Sequence, residues 1–167
     1  MDHRSLYDDD VYAWAQQQAE ALRRLAETGR NLPNELDLEN VAEEIEDVGK
    51  TELHRVRSFL RLMLVHLIKA ASAPQARSYP KWRSEVIVFR AELADHVTRS
   101  MRPKLSISRE WRLAMVEAEG SLREEGDIIL AGLGGACPLG LEDILDERLT
   151  FEAAVERITA AATQSSA

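Results

Sequence analysis

From Asp37 to Ala71 the chain runs about 34 residues without a proline, and apolar side chains recur at helical spacing throughout. Leu38, Val41, Ala42, Ile45, Val48, Leu53, Val56, Phe59, Leu60, Met63 and Leu67 fall on one stripe at about 100° per residue. Asp37 is the expected N-cap, and at 1.5 Å per residue the helix would be about 50 Å long. It outruns the neighbouring segments that could cover it, so Gly49 is the expected place for a bend.

The five prolines (Pro33, Pro74, Pro80, Pro103 and Pro138) stand between segments of helical period, not inside them. Before the long helix, a segment over about 8–28 places Tyr7, Val11, Trp14, Ala15, Leu22, Leu25 and Ala26 on one face. Asp8 to Asp10 lie at its start, and Gly29 is a C-cap candidate. After the long helix, about 81–100 places Trp82, Val86, Phe89, Leu93 and Val97 inward. The run Val86 to Phe89 taken alone resembles a strand, but the longer 3.6-residue pattern around it predicts helix. A fourth segment, about 106–130, buries Ile107, Trp111, Ala114, Met115, Ala118, Leu122 and Ile129, with Gly120 and Gly126 weakening it locally. A Gly-rich connector over about 131–140 leads to a helical segment over about 141–163, and the tail from Gln164 is expected to be disordered.

Residues 1–167 thus read as one all-α domain. Its core, about 8–130, is expected to be an antiparallel up-down-up-down four-helix bundle, with a small C-terminal helical extension. Aromatic residues make up only 5% of the chain, so Leu, Ala, Val and Ile must build the interior. One cysteine, Cys137, excludes an internal disulfide and any multi-thiolate metal centre. No apolar run reaches membrane-spanning length and the opening residues carry no signal-peptide pattern, so the expected location is cytoplasmic, away from the membrane.

The net charge of −8 opposes nucleic-acid binding, yet the charge is segregated. Seven acids and no base lie between Glu35 and Asp47. Between Lys69 and Arg112 ten bases meet four acids, so that stretch carries +6 and the remainder −14.

Tyr7-Asp8-x-Asp10 followed by Trp14, LDLENVAEEIEDVGKTE from Leu36 to Glu52, HLIK from His66 to Lys69, Trp82-Arg83 after a proline, and CPLGLEDILD from Cys137 to Asp146 together resemble the bacterial family called domain of unknown function 29. The chain departs from that pattern at Ser84-Glu85-Val86, at the RPKL turn after Met101 and beyond Thr150. The resemblance implies an all-helical bacterial protein and brings no activity, cofactor or catalytic residue.

The chemistry-bearing residues are few. Glu52 interrupts the apolar stripe about 40° from its centre, and a carboxylate taken from water needs a partner. Pairing antiparallel helices about their connectors places Glu52 near Trp14 and opposite His96 and Arg99, with His96 near Trp111. Glu52 and His96 are therefore the candidate acid–base pair, or else a polar layer that fixes helix register. Glu43, Glu46 and Asp47 on the acidic opening, His66 and Lys69 in the HLIK step, and Arg99 are the binding candidates; His66 is expected to meet an acid such as Glu85. No Glu-x-x-His occurs, so no metal is expected, and no cofactor either. The leading expectation is a non-catalytic interaction or regulatory module that meets a protein partner or a second copy of itself through its segregated charge. A small enzyme using Glu52 and His96 comes next, and nucleic-acid binding through the basic middle segment last.

Overall fold

The structure is a computed structural model and describes residues 3–28, 33 and 36–165. Its elements in chain order are α1 (His3–Asp9), α2 (Val11–Thr28), α3 (Leu38–Ser72), α4 (Tyr79–His96), a 3-10 turn (Arg102–Lys104), α5 (Ile107–Glu125), α6 (Leu141–Leu145) and α7 (Phe151–Ser165). The protein is all-helical, with no strand among the described residues, and Val86 to Phe89 lie inside α4.

Several boundaries differ from those the sequence predicts: α4 begins at Tyr79, so Pro80 lies in its first turn, where proline has no helical N–H bond to lose, and the C-terminal segment is two helices, α6 and α7. The first segment is two helices, because Asp10 leaves the helical path: its N–H still bonds back to Leu6 O (2.9 Å), while its side chain caps the next helix. α4 ends at His96 instead of Ser100, since Thr98 and Ser100 turn their polar groups onto Asp10. α5 ends at Glu125 because Gly126, at φ +82°, forms a left-handed C-cap whose N–H returns to Arg123 O. The last helix extends to Ser165 past its expected end, so Gln164 lies within it. The expected cap at Gly29 and the final residues 166–167 lie outside the described residues.

α3 matches its expected span to within a residue, and Asp37 caps it by accepting from Asn40 N (3.1 Å). Gly49 does not interrupt it. A Cβ on Gly49 would sit 3.0 Å from Ala15 Cβ and 3.5 Å from Tyr12 Cα, so this glycine lets α2 approach α3 closely.

Contacts divide the chain into two compact units. Unit 1 comprises residues 1–56 and 96–105. Its buried side chains include Ala15 and Ala19 from α2, Leu38, Ala42, Leu53 and Val56 from α3, and Met101 and Leu105. Arg23 and Glu46 join α2 to α3 at 2.5 Å, and Tyr7 meets Trp14 edge to face at 4.8 Å. Unit 2 comprises residues 57–95 and 106–167. Leu60, Met63, Leu64, Leu67 and Ile68 of α3 are buried in it, with Trp82 and Leu93 of α4, Trp111 and Leu122 of α5, Ile144 of α6 and Ile158 of α7. Trp111 Nε1 donates to Gly134 O (3.0 Å), and Leu130 N donates to Ser72 Oγ (2.9 Å), which fastens the Gly-rich connector to the helices of unit 2.

Candidate functional site

In unit 1, Glu52 Oε2 lies 3.7 Å from His96 Nδ1, with the two side chains 22% and 34% exposed. Glu52 is therefore at a boundary and not in the interior. The apolar stripe of α3 is centred on Ala42, Gly49, Leu53 and Val56, while Val41 and Val48, which border Glu52 on the helix, are themselves 39% and 46% exposed. Water reaches the carboxylate, and Arg55 one turn on approaches Oε1 at 3.1 Å and donates to Oε2 at 3.2 Å. Arg99 is exposed, and the expected alternative contact with Glu52 is not the one the structure contains. Trp111, expected beside this pair, belongs to unit 2 and is fully buried there.

The acidic opening of α3 splits by face. Glu43, Glu44 and Asp47 are exposed, whereas Glu46 turns toward α2 and Arg23, whose guanidinium holds its carboxyl below the ordinary range against the opposing effect of burial. Lys50 reaches Asp47 at 2.9 Å and Glu46 at 3.5 Å.

In unit 2 the HLIK step supplies two half-buried or buried groups. Lys69 is 5% exposed; its ammonium donates to Ser121 Oγ (2.6 Å) and Glu125 Oε1 (2.9 Å) and sits 4.6 Å from the centre of the Trp82 ring. The bond from Lys69 lowers the Glu125 pKa, with burial opposing. His66 Nε2 lies 3.2 Å from Glu85 Oε2, and its ring stacks on Phe89 with centroids 5.8 Å apart. Burial lowers the His66 pKa, Glu85 works the other way, and Lys69 and Lys81 add to the lowering. At neutral pH the imidazole is accordingly uncharged.

Two polar groups carry more structure than the sequence discloses. Asp10 is 8% exposed and accepts four bonds: Ala13 N (3.0 Å), Thr98 Oγ1 (2.9 Å) and Ser100 Oγ (2.6 Å) at Oδ1, and Ser100 N (3.0 Å) at Oδ2. Burial raises its pKa, but the bonds from Ser100, Ala13 and Thr98 outweigh it and the net shift is downward. Glu110, in the first turn of α5, is 2% exposed, with Arg61 Nη1 3.7 Å from Oε2. A sequence signal for Glu110 exists: it lies within about 80° of the centre of the inward stripe defined by Trp111, Ala114 and Ala118, much as Glu52 lies near the stripe of α3. Asp10 has no such signal, because its partners are about ninety residues away.

Cys137 is a poor nucleophile, since burial pushes its thiol up to about 11 and keeps it protonated. Among the described residues no three His, Cys, Asp or Glu side chains converge on a position that could hold a metal ion. None of the described helices is long and apolar enough to cross a membrane. A groove of about 540 Å³ in unit 2 runs between α4 and the α6–α7 connection, bordered by Arg83, Ile87, Arg90, Leu145 and Leu149. Both arginines are engaged: Arg83 with Glu152 at 2.8 Å, and Arg90 with the carbonyls of Leu149 and Asp146.

These features define an all-helical protein whose polar groups mostly join one helix to another. The model of the family described as Domain of unknown function DUF29 matches residues 6–150, and the chain belongs to that family. It is similar to the crystal structure of an alpha-helical protein of unknown function from Rhodospirillum rubrum, with 41% identity, a TM-score of 0.86, and coverage of 91% of this chain and 96% of that one. A comparison with curated proteins finds no match.

Proposed function

We propose that this protein is a non-catalytic interaction module that docks a basic, amphipathic segment of a partner protein along the first half of α3. One observation carries this reading: Val41 and Val48, a heptad apart, are exposed by 39% and 46%, and at about 100° per residue Glu44 borders them on the exposed side of α3, with Asp47 and Glu43 further round the helix. An apolar strip edged by one sign of charge suits a helix or extended segment with aliphatic anchors and Lys or Arg beside them.

The acid–base reading of Glu52 and His96 draws on their 3.7 Å approach. Arg55 already engages that carboxylate, which suits a contact that sets helix register. Binding of nucleic acid by the basic middle segment loses support because Lys69, Arg83 and Arg90 are held by acceptors of the protein itself. The antiparallel up-down-up-down order is part of the same proposal, supported by the short connections over 73–78 and 97–106. So is a cytoplasmic location, supported by the single cysteine.

The test is affinity capture from a lysate, comparing the wild-type chain with a Glu43→Lys, Glu44→Lys, Asp47→Lys variant. A protein retained by the wild type, released by salt and absent from the variant supports the reading. Identical captures by both chains refute it.

A further inference from the structure

We propose that α4 is a self-complementary face through which two copies of this chain pair antiparallel about Val88. The proposal concerns unit 2 alone and does not rest on the acidic face of α3. α4 carries apolar side chains on both its buried and its exposed side. Trp82, Val86 and Leu93 are buried, while Ile87 and Val88 on the opposite side are 54% and 55% exposed, with Ala91 and Ala94 also exposed. Ile87 and Val88 are thus the large apolar side chains on the solvent side of α4.

What covers it follows from the order of charge. Lys81, Val88 and Asp95 are spaced seven apart, so they form one row along the outer side of α4 that drifts by only about 20° per heptad. The row reads basic, apolar, acidic. A two-fold axis perpendicular to the helix at the level of Val88 brings Val88 against the same residue of the second copy. The same operation places Lys81 opposite Asp95 at both ends, on the same edge of the contact, because an antiparallel two-fold pairs positions equidistant from its centre. A parallel pairing would set Lys81 against Lys81 and Asp95 against Asp95, so the charges select the antiparallel arrangement. Lys81 is available for this role: its side chain is 74% exposed, and its approach to Glu85 is a long 3.8 Å. Ser84, Ala91 and Ala94 are small enough for two helix backbones to come close, leaving Ile87 and Val88 as the side chains that fill the contact. The groove of about 540 Å³ beside α4 is of mixed character, with Leu145 and Leu149 on its far wall and Arg83, Arg90, Asp95 and Glu147 also lining it.

The test is sedimentation velocity on the full chain over a concentration series into the high micromolar range. The wild type is expected to sediment as a dimer, while Lys81→Asp and Asp95→Lys, each placing like charges at both ends of the contact, should each dimerise about tenfold more weakly. Mixing the two single variants restores both opposite-charge pairs, so a heterodimer should form where neither homodimer does. Ile87→Glu should give a monomer with the helical circular dichroism of the wild type. A wild-type chain that stays monomeric throughout overturns the proposal. So does a dimer that is indifferent to Ile87→Glu and to both charge reversals, since it must then use another face.

Discussion

Asp10 binds Ser100 twice, accepting its hydroxyl at 2.6 Å and its backbone N–H at 3.0 Å across ninety residues of sequence. The same carboxylate caps α2 through Ala13 N, so one side chain starts a helix and fixes the turn that follows α4. The Tyr-Asp-x-Asp opening, which by sequence alone supplies helix-starting acids, thus owes one of its aspartates to a tertiary contact within unit 1.

Replacing Asp10 with Asn keeps the shape but loses the charge and part of the acceptor capacity. The expected cost is about 2 to 4 kcal/mol, combining a lost N-cap with unsatisfied buried donors. The pH dependence has a definite sign. The folded carboxyl titrates below its ordinary 3.8, so its contribution is complete above that value and is lost as the pH falls through the folded pKa. The stability difference between wild type and Asp10→Asn, measured by urea denaturation, should be constant near neutrality and shrink below about pH 4. A difference that grows on acidification would contradict the assigned bonds.

Lys69 and Glu125 should respond unequally to truncation. The ammonium is buried, whereas the Glu125 side chain is 35% exposed and can rehydrate when its partner is removed. Glu125→Ala leaves a buried cation with only Ser121 and the Trp82 face, an expected loss of about 3 to 5 kcal/mol. Lys69→Met keeps the volume and should lose about 1 to 2 kcal/mol. Chemical denaturation of the two variants gives the order directly, and the reverse order would show that Lys69 is better solvated than its burial indicates.

Two glycines inside helices should respond to alanine with opposite sign. A methyl group added at Gly120 of α5 would meet only open space, so Gly120→Ala should stabilise by about 0.5 to 1 kcal/mol through helix propensity. At Gly49 the added Cβ would press on Ala15 Cβ, which has no side-chain torsion to relieve it, and Gly49→Ala should destabilise by about 1 kcal/mol net. Thermal unfolding followed by circular dichroism separates the two.

The parts of the fold legible in the sequence are those fixed by local periodicity. α3 is readable nearly to the residue because its apolar stripe is long and free of proline, and Val86 to Phe89 read correctly as helix because the apolar pattern continues on either side of them. Boundaries escape the sequence where non-local bonds or glycine geometry decide them: Asp10 breaks the first helix for partners at positions 98 and 100, and Gly126 closes α5 where periodicity shows only a weak point. The stripe locates Glu52 on the correct helix edge and near His96 but too deep, because it counts Val41 and Val48 as buried although they face water.

A photo-crosslinking amino acid placed at Val48 tests the docking strip most directly, because that position is exposed and tolerates substitution without disturbing the core. Irradiation in living cells, with the same probe at exposed Gln17 of α2 as the reference, is expected to give one discrete adduct from position 48. That adduct should disappear when Glu43, Glu44 and Asp47 are changed to Lys. No adduct at 48, or the same adducts from 48 and 17 regardless of the acids, would contradict the assignment of this face to a partner.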